Sequence, residues 1–280
     1  MSHTEPTYVA HSEPAYVAHV EPGSYDRAVL SLTPVMYLAM STPTSGTEAD
    51  LSGNGHNGTY YSGVLRDSPT PASPASTTLP NGNTATAFDG LTEYLEIPDH
   101  DSLSCPTTGE LTVTGWMRPD TLEFPVAEGS GTAYANWFGK SNFSPNQEEW
   151  EMRMNCYTSS QGRPNRTAVY HQSLSGGLGS GTSVQETVTV GEWMFFAGVV
   201  NMNDLSKYDT GIIKIYKNGA FRNDVALNQF NVIPTNGTAP VRVGCSDLDS
   251  RFFGGVGKVA VFDYELSGTD VTSLYNAMVG

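Results

Sequence analysis

Residues 111–119 read LTVTGWMRP, an apolar–polar alternation with the two-residue period of a half-buried strand. Working outward, WEMRM at 150–154 has the same period and puts Trp150, Met152 and Met154 on one face. Short apolar runs follow at 193–200 (WMFFAGVV), 211–216 (GIIKIY), 241–244 (VRVG) and 256–262 (VGKVAVF), with turn formers between them. Asn218-Gly219 between two such runs is a hairpin signal, because a tight primed turn needs positive φ at both central residues. Recurrent short strands with these turns predict an all-β chain, a two-sheet antiparallel β-sandwich or jelly roll. One helix is expected, at the C-terminus: Ser267 or Thr269 can cap it, and Val271, Leu274 and Tyr275 share a face.

Composition agrees. The 280 residues carry 29 Gly, 17 Pro and 14 Tyr, and only 15% are charged. The formal charge of −15 leaves no clustered cations for phosphate, which excludes nucleic acid as a main partner and argues against docking on an anionic membrane. No apolar run is long enough for membrane insertion as a helix. Cys105, Cys156 and Cys245 are too few, and odd in number, for a disulfide scaffold; they read as buried thiols.

Two segments stand apart. Residues 4–11 (TEPTYVAH) recur as 12–19 (SEPAYVAH), and a third copy starts at Val20 and breaks off. Proline in every copy forbids a helix, so residues 1–24 read as extended, either a disordered tail or an arm that orders on a neighbouring subunit through Tyr8-Val9 and Tyr16-Val17. His11 and His19, eight apart on such an arm, are a poor metal site. The start of the chain has neither the basic nor the apolar region of a signal peptide, so folding in a cytoplasm, or export by a route other than general secretion, is expected. Residues 67–86 (DSPTPASPASTTLPNGNTAT) read as a polar loop, and residues 25–66 as a lead-in packed on the sandwich rather than a domain. The body is therefore residues 25–280.

The order of motifs across that body resembles concanavalin A-like domains of the laminin G-like type. DLSGNGHNGTY at 50–60 resembles their opening motif, and FDG at 88–90 with YLEIP at 94–98 their first core strand. LTVTGWMRP, then GEW at 191–193 with IYKNG at 215–219, then FGGVGKVAVFD at 253–263 resemble their later strands, in order. The resemblance implies two sheets with one concave face, but no single function, since this fold serves lectins, glycosidases, adhesion modules and virion proteins. The lead-in is similar to those of bacterial surface and tailed-phage proteins.

Three chemistries have candidate residues here. The resemblance suggests calcium at the sandwich rim, with Asp89 and Glu93 on one side and Asp247 and Asp249 as spare carboxylates; Lys258, where such domains carry an acid, argues against it. Sugar binding needs an aromatic face ringed by amides, and Tyr134, Asn136, Trp137 and Asn142 have that composition, although WFGK at 137–140 also matches a core strand. Hydrolysis needs paired carboxylates; Glu149 and Glu151 share a face by period, but Met154 stands where a third acid is wanted, and Arg153 would pair one of them on a solvent-facing surface. The expectation is a non-enzymatic virion surface protein, a capsid decoration or tail attachment module. It would be assembled in the host cytoplasm, held to other virion proteins and sister copies in a homo-oligomer through its arm, and bind host-surface glycans. The alternative is a carbohydrate-binding or adhesion module of a bacterial surface protein, and behind it a glycoside hydrolase.

Overall fold

The structure is a computed structural model that describes residues 23–63, 70–127, 134–142, 146–159, 162–174 and 179–280. The repeats, with Tyr8, Val9, Tyr16 and Val17, lie outside the described residues. In chain order the helices are α1 (Ser24–Ser31) and α2 (Gly268–Val279). The strands are β1 (Met36–Leu38), β2 (Thr47–Glu48), β3 (Gly58–Ser62), β4 (Thr70–Pro71), β5 (Ala75–Thr78), β6 (Thr84–Asp89), β7 (Glu93–Ile97), β8 (Glu110–Pro119), β9 (Tyr134–Lys140), β10 (Trp150–Asn155), β11 (Thr167–His171), β12 (Ser180–Ser183), β13 (Met194–Asn201), β14 (Ile212–Lys217), β15 (Ala220–Ala226), β16 (Val241–Val243) and β17 (Phe253–Phe262).

These strands form two antiparallel sheets, as the alternation predicted. The first runs β15-β14-β13-β8-β17-β6-β5, with β1 added beside β17. The second runs β12-β11-β10-β9-β16-β7-β3-β2, with β4 beside β3. Leu111, Val113 and Met117 from β8 meet Trp150, Met152 and Met154 from β10 in one apolar core between the sheets. Fully burying side chains of this size contributes roughly 1.5–3 kcal/mol each. Asn218 (φ 51°) and Gly219 (φ 78°) make the expected turn between β14 and β15, and the Asn218 side chain also accepts the Phe195 N–H at 2.9 Å. Cys105, Cys156 and Cys245 are buried free thiols.

A second apolar cluster lies on the outer face of the first sheet. Trp116, Phe195, Ala260 and Phe262 point away from the main core and are covered by Tyr25 and Val29 of α1 and by Val271, Leu274 and Met278 of α2. Tyr275 stacks on Trp116 with centroids 5.8 Å apart. Ser267 caps α2 by accepting the Asp270 N–H, as its sequence suggested. Helix α1 was not foreseen: Ser24, assigned to the arm, is its first residue. Its apolar periodicity spans only two turns, too little to register as a pattern. It is pinned by Asp26, whose carboxylate takes the Lys258 ammonium at 2.6 Å and the Tyr37 hydroxyl beneath the helix. Ser24 Oγ donates to the Ala277 carbonyl at 3.3 Å, so the helices run side by side.

The lead-in is woven into both sheets. Its β1 pairs with β17 in the first, and its β3 pairs with β7 in the second. The Asp50 carboxylate folds the turn between them, accepting the N–H groups of Tyr37, Ser52 and His56. The stretch read as a polar loop over 67–86 instead supplies β4, β5 and the start of β6. Its Ser and Thr side chains suit an edge strand that is exposed on one side, which a reading by polarity alone takes for loop.

Candidate functional site

The outer face of the second sheet differs from that of the first. The side chains that β9, β10 and β11 direct away from the core include Tyr134, Asn136, Glu151, Arg153 and Tyr170, and none belongs to either apolar cluster. The register explains their meeting: β10 sets Glu151 opposite Tyr170 and Arg153 opposite Asn136. The Arg153 guanidinium lies between the rings of Tyr134 and Tyr170, 4.1 and 4.4 Å from their centroids. Its Nε donates to Glu151 Oε2 at 2.7 Å. Gln172 donates to the same oxygen at 3.0 Å, and Ser246 Oγ donates to Oε1 at 2.9 Å. Glu151 is only 1% exposed, so the salt-bridged solvent face expected from sequence is a buried network.

Glu148, which sequence reading missed, is buried near enough to this network for the charges of Glu151, Arg153 and Asp247 to act on it. It is 7% exposed. Burial raises its pKa to about 7; the negative charges of Glu151 and Asp247 add to the rise, and Arg153 opposes it. Glu149, favoured by its spacing from Glu151, turns elsewhere. Its carboxylate receives the buried Lys140 ammonium and the Gly237 N–H, and Lys140 also binds Asp99 at 2.8 Å. It precedes the first residue of β10, so the strand period does not govern it.

The four residues read as a sugar site divide. Tyr134 and Asn136 lie in the network, where Asn136 Nδ2 donates to Glu151 at 3.4 Å. Asn142 sits beside it and accepts from Arg242 at 2.8 Å, and Arg242 in turn donates to the Ser246 carbonyl. Trp137 is a correction. It is wholly buried in the main core, against Phe138 and Phe196, and offers no face to a ligand. The pairing of β9 with β10 shifts at this point, and both Trp137 and Phe138 turn inward.

The rim carboxylates suggested for calcium are spent locally. Asp89 accepts the N–H groups of Leu91, Thr92 and Glu93 and the Thr92 hydroxyl, all within 3.0 Å. Burial would raise its pKa, but the Glu93, Thr92 and Leu91 amides outweigh burial and hold it below the usual carboxylate range. Glu93 accepts the Asp89 N–H. Asp247 is buried and closes a turn through the Asp249 N–H, and Asp249 is exposed. Among the described residues, no three His, Cys, Asp or Glu side chains converge as a metal site. Lys258, the cation suspected from sequence, instead neutralises Asp26 beneath α1.

A two-sheet sandwich with one outer face sealed and the other polar now has a sequence counterpart. The family model of the concanavalin A-like lectin/glucanases superfamily, laminin G type, matches residues 88–272. The chain belongs to this superfamily. A comparison with curated proteins finds no match. Among solved structures, the chain is similar to domain 4 of AbnA, a GH43 extracellular arabinanase from Geobacillus stearothermophilus, in complex with arabinotriose. That likeness has 17% identity and a TM-score of 0.56, over 86% of this chain and 98% of that domain. It is also similar to the botulinum neurotoxin serotype D ligand binding domain in complex with N-acetylneuraminic acid (12% identity, TM-score 0.56, 89% of this chain and 52% of that one). A third likeness is to the binding domain of Paraclostridial Mosquitocidal Protein 1 (14% identity, TM-score 0.59, 89% and 53%). The chain spans about half the length of the two toxin domains. At these identities the likeness establishes the fold of the superfamily.

Proposed function

We propose that this superfamily member binds carbohydrate on the outer face of its second sheet, around Tyr134, Arg153 and Tyr170. The observation that carries the reading is the guanidinium clamped between two tyrosine rings above buried Glu151, Gln172 and Ser246. Charged groups are costly to bury, and a sheet face needs none of them to fold. Held rigid by these buried partners, Tyr134, Arg153 and Tyr170 offer the aromatic edges and guanidinium donors that orient sugar hydroxyls. The complexes of the arabinanase domain with arabinotriose and of the neurotoxin domain with N-acetylneuraminic acid support a saccharide ligand. A glycan array tests it: the intact chain binds a defined set of glycans, and Arg153→Ala weakens binding at least tenfold. An array with no bound glycan overturns the reading.

Within the same proposal, the chain is displayed on a virion, as a capsid decoration or tail attachment module, and residues 1–24 tie it to the particle. The paired Tyr-Val repeats support this, because each copy presents the same short apolar contact at an eight-residue interval. Removing residues 1–22 then abolishes loading onto particles while the sandwich keeps its melting temperature; normal loading refutes it. Display on a bacterial surface is the alternative, and the partner recovered by crosslinking through the arm separates the two.

One feature favours a second reading, glycoside hydrolysis: burial, with the charge of Glu151, raises the Glu148 pKa to about 7, while Arg153 holds the Glu151 carboxylate. Turnover of an oligosaccharide by the wild type, lost in Glu148→Gln, is its signature. Zero turnover across the glycans that bind removes it.

A further inference from the structure

Beside the proposed glycan face, a cavity of about 250 Å³ opens at the seam where β12, at the edge of the second sheet, faces β15, at the edge of the first. Tyr170 belongs to both. Its ring contacts Arg153 on the sheet face and also lines the seam. It reaches the seam by lying across Gly181, where a Cβ would come within 2.6 Å of the ring, so β12 needs glycine at that point.

The lining is chemically mixed in the manner of a saccharide site. Thr182 is 2% exposed and its hydroxyl has no hydrogen-bond partner, an uncompensated buried group in a site with room for a ligand oxygen. Asn223 and Gln229 bring side-chain amides, and Phe230 stands on the rim with 48% of its surface exposed. Arg163 donates to the Tyr170 hydroxyl at 2.5 Å and supplies a fixed positive charge. Among the described residues no Asp or Glu lines the cavity, in a chain with 29 acids and 14 Lys and Arg. The described lining thus carries one positive charge and no negative one, against the sign of the protein as a whole.

We propose that the seam is a second saccharide subsite, taking a sugar ring that carries a carboxylate, with Arg163 as the partner of the carboxylate, Thr182 and the two amides as partners of the hydroxyls, and Phe230 as the stacking surface. A guanidinium has five N–H donors, so it can hold the Tyr170 hydroxyl and a carboxylate together. The proposal rests on the glycan reading of the adjoining face, and Tyr170 is the point at which a bound chain passes from one subsite to the other.

The test uses the full chain, labelled with ¹⁵N, and matched acidic and neutral sugars: glucuronosyl-glucose against cellobiose, digalacturonate against digalactose, and sialyllactose against lactose. At least one acidic member should bind about tenfold more tightly than its neutral counterpart, the size of one charge-assisted contact. It should also shift the Gly181, Thr182 and Asn223 amides. Arg163→Gln should bring that ratio within twofold and leave the neutral sugar unaffected. Thr182→Val, which keeps the shape of the side chain, should weaken binding of the acidic sugar several-fold and serves if the arginine variant is poorly folded. Equal affinity within every pair, or shifts confined to residues around Glu151 and Arg153, overturns the subsite and leaves the glycan face standing. No shift with any of the six sugars overturns both.

Discussion

The two outer faces of this sandwich begin from the same strand alternation and end with opposite characters. On the first sheet, Trp116, Phe195 and Phe262 point outward and two helices cover them. On the second, Tyr134, Glu151, Arg153 and Tyr170 occupy the equivalent outward positions, and among the described residues no apolar cluster covers them. The first face contributes to stability in proportion to the surface it removes from water. The second buries ion pairs, whose desolvation offsets much of their attraction, and so adds little. Substitutions on the two faces should therefore differ in kind. Those on the sealed face should lower stability and leave ligand binding intact; those on the polar face should alter binding and, where they remove a buried charge that folding disfavours, raise stability rather than lower it.

The largest effect is expected from Trp116→Ala, which opens a cavity under α2 and removes the stack with Tyr275. A loss of about 3–5 kcal/mol in denaturant unfolding is expected, with the glycan affinity of the folded fraction unchanged. Lys258→Met comes next. It strands the Asp26 carboxylate beneath α1 and should cost about 3 kcal/mol, and replacing Asp26 by Asn in the same chain should recover part of that. A wild-type stability in either variant would break the account of the sealed face.

Glu148→Gln should act in the opposite direction. The folded pKa of this carboxyl, about 7, lies above its ordinary value of 4.5, so the protonated form is favoured by folding. Its penalty is absent below about pH 4.5, grows as the pH rises toward 7 and is complete above it. The variant should match the wild type at pH 4 and exceed it by about 2 kcal/mol at pH 8, allowing for solvent screening, as read from melting across that range. Equal stability at both pH values would place Glu148 in water. The smallest change is Asn218→Ala, which loses the bond to the Phe195 N–H and places alanine at positive φ. About 1 kcal/mol is expected, with no effect on either outer face.

Most of the strands were legible because alternation is a local property. Trp150, Met152 and Met154 share the core as their spacing required, and Asn218-Gly219 turns as its conformational needs dictate. The functional face was less legible. Trp137 was grouped with Tyr134 by composition, although the two-residue period already places them on opposite sides. Glu148 and Glu149 adjoin each other just before β10, preceded by Asn146 at φ 60° and by the paired backbone bonds between Asn142 and Gln147. Nothing in an isolated doublet of acids encodes which of them lies near Glu151. The same limit applies to Lys258: its partner Asp26 is 232 residues away in sequence, on a helix too short to show periodicity.

The contact between Ser24 and Ala277 fixes a direction as well as a fold. The described chain begins on the sealed side of the sandwich, beside its own last helix, and the Tyr134–Tyr170 clamp lies on the opposite side of the molecule. A tether leaving from Gly23 would therefore hold the domain by its back. If residues 1–22 hold the chain to a support, the attachment starts on the sealed side, and the polar face is left clear of the point where the arm joins the domain.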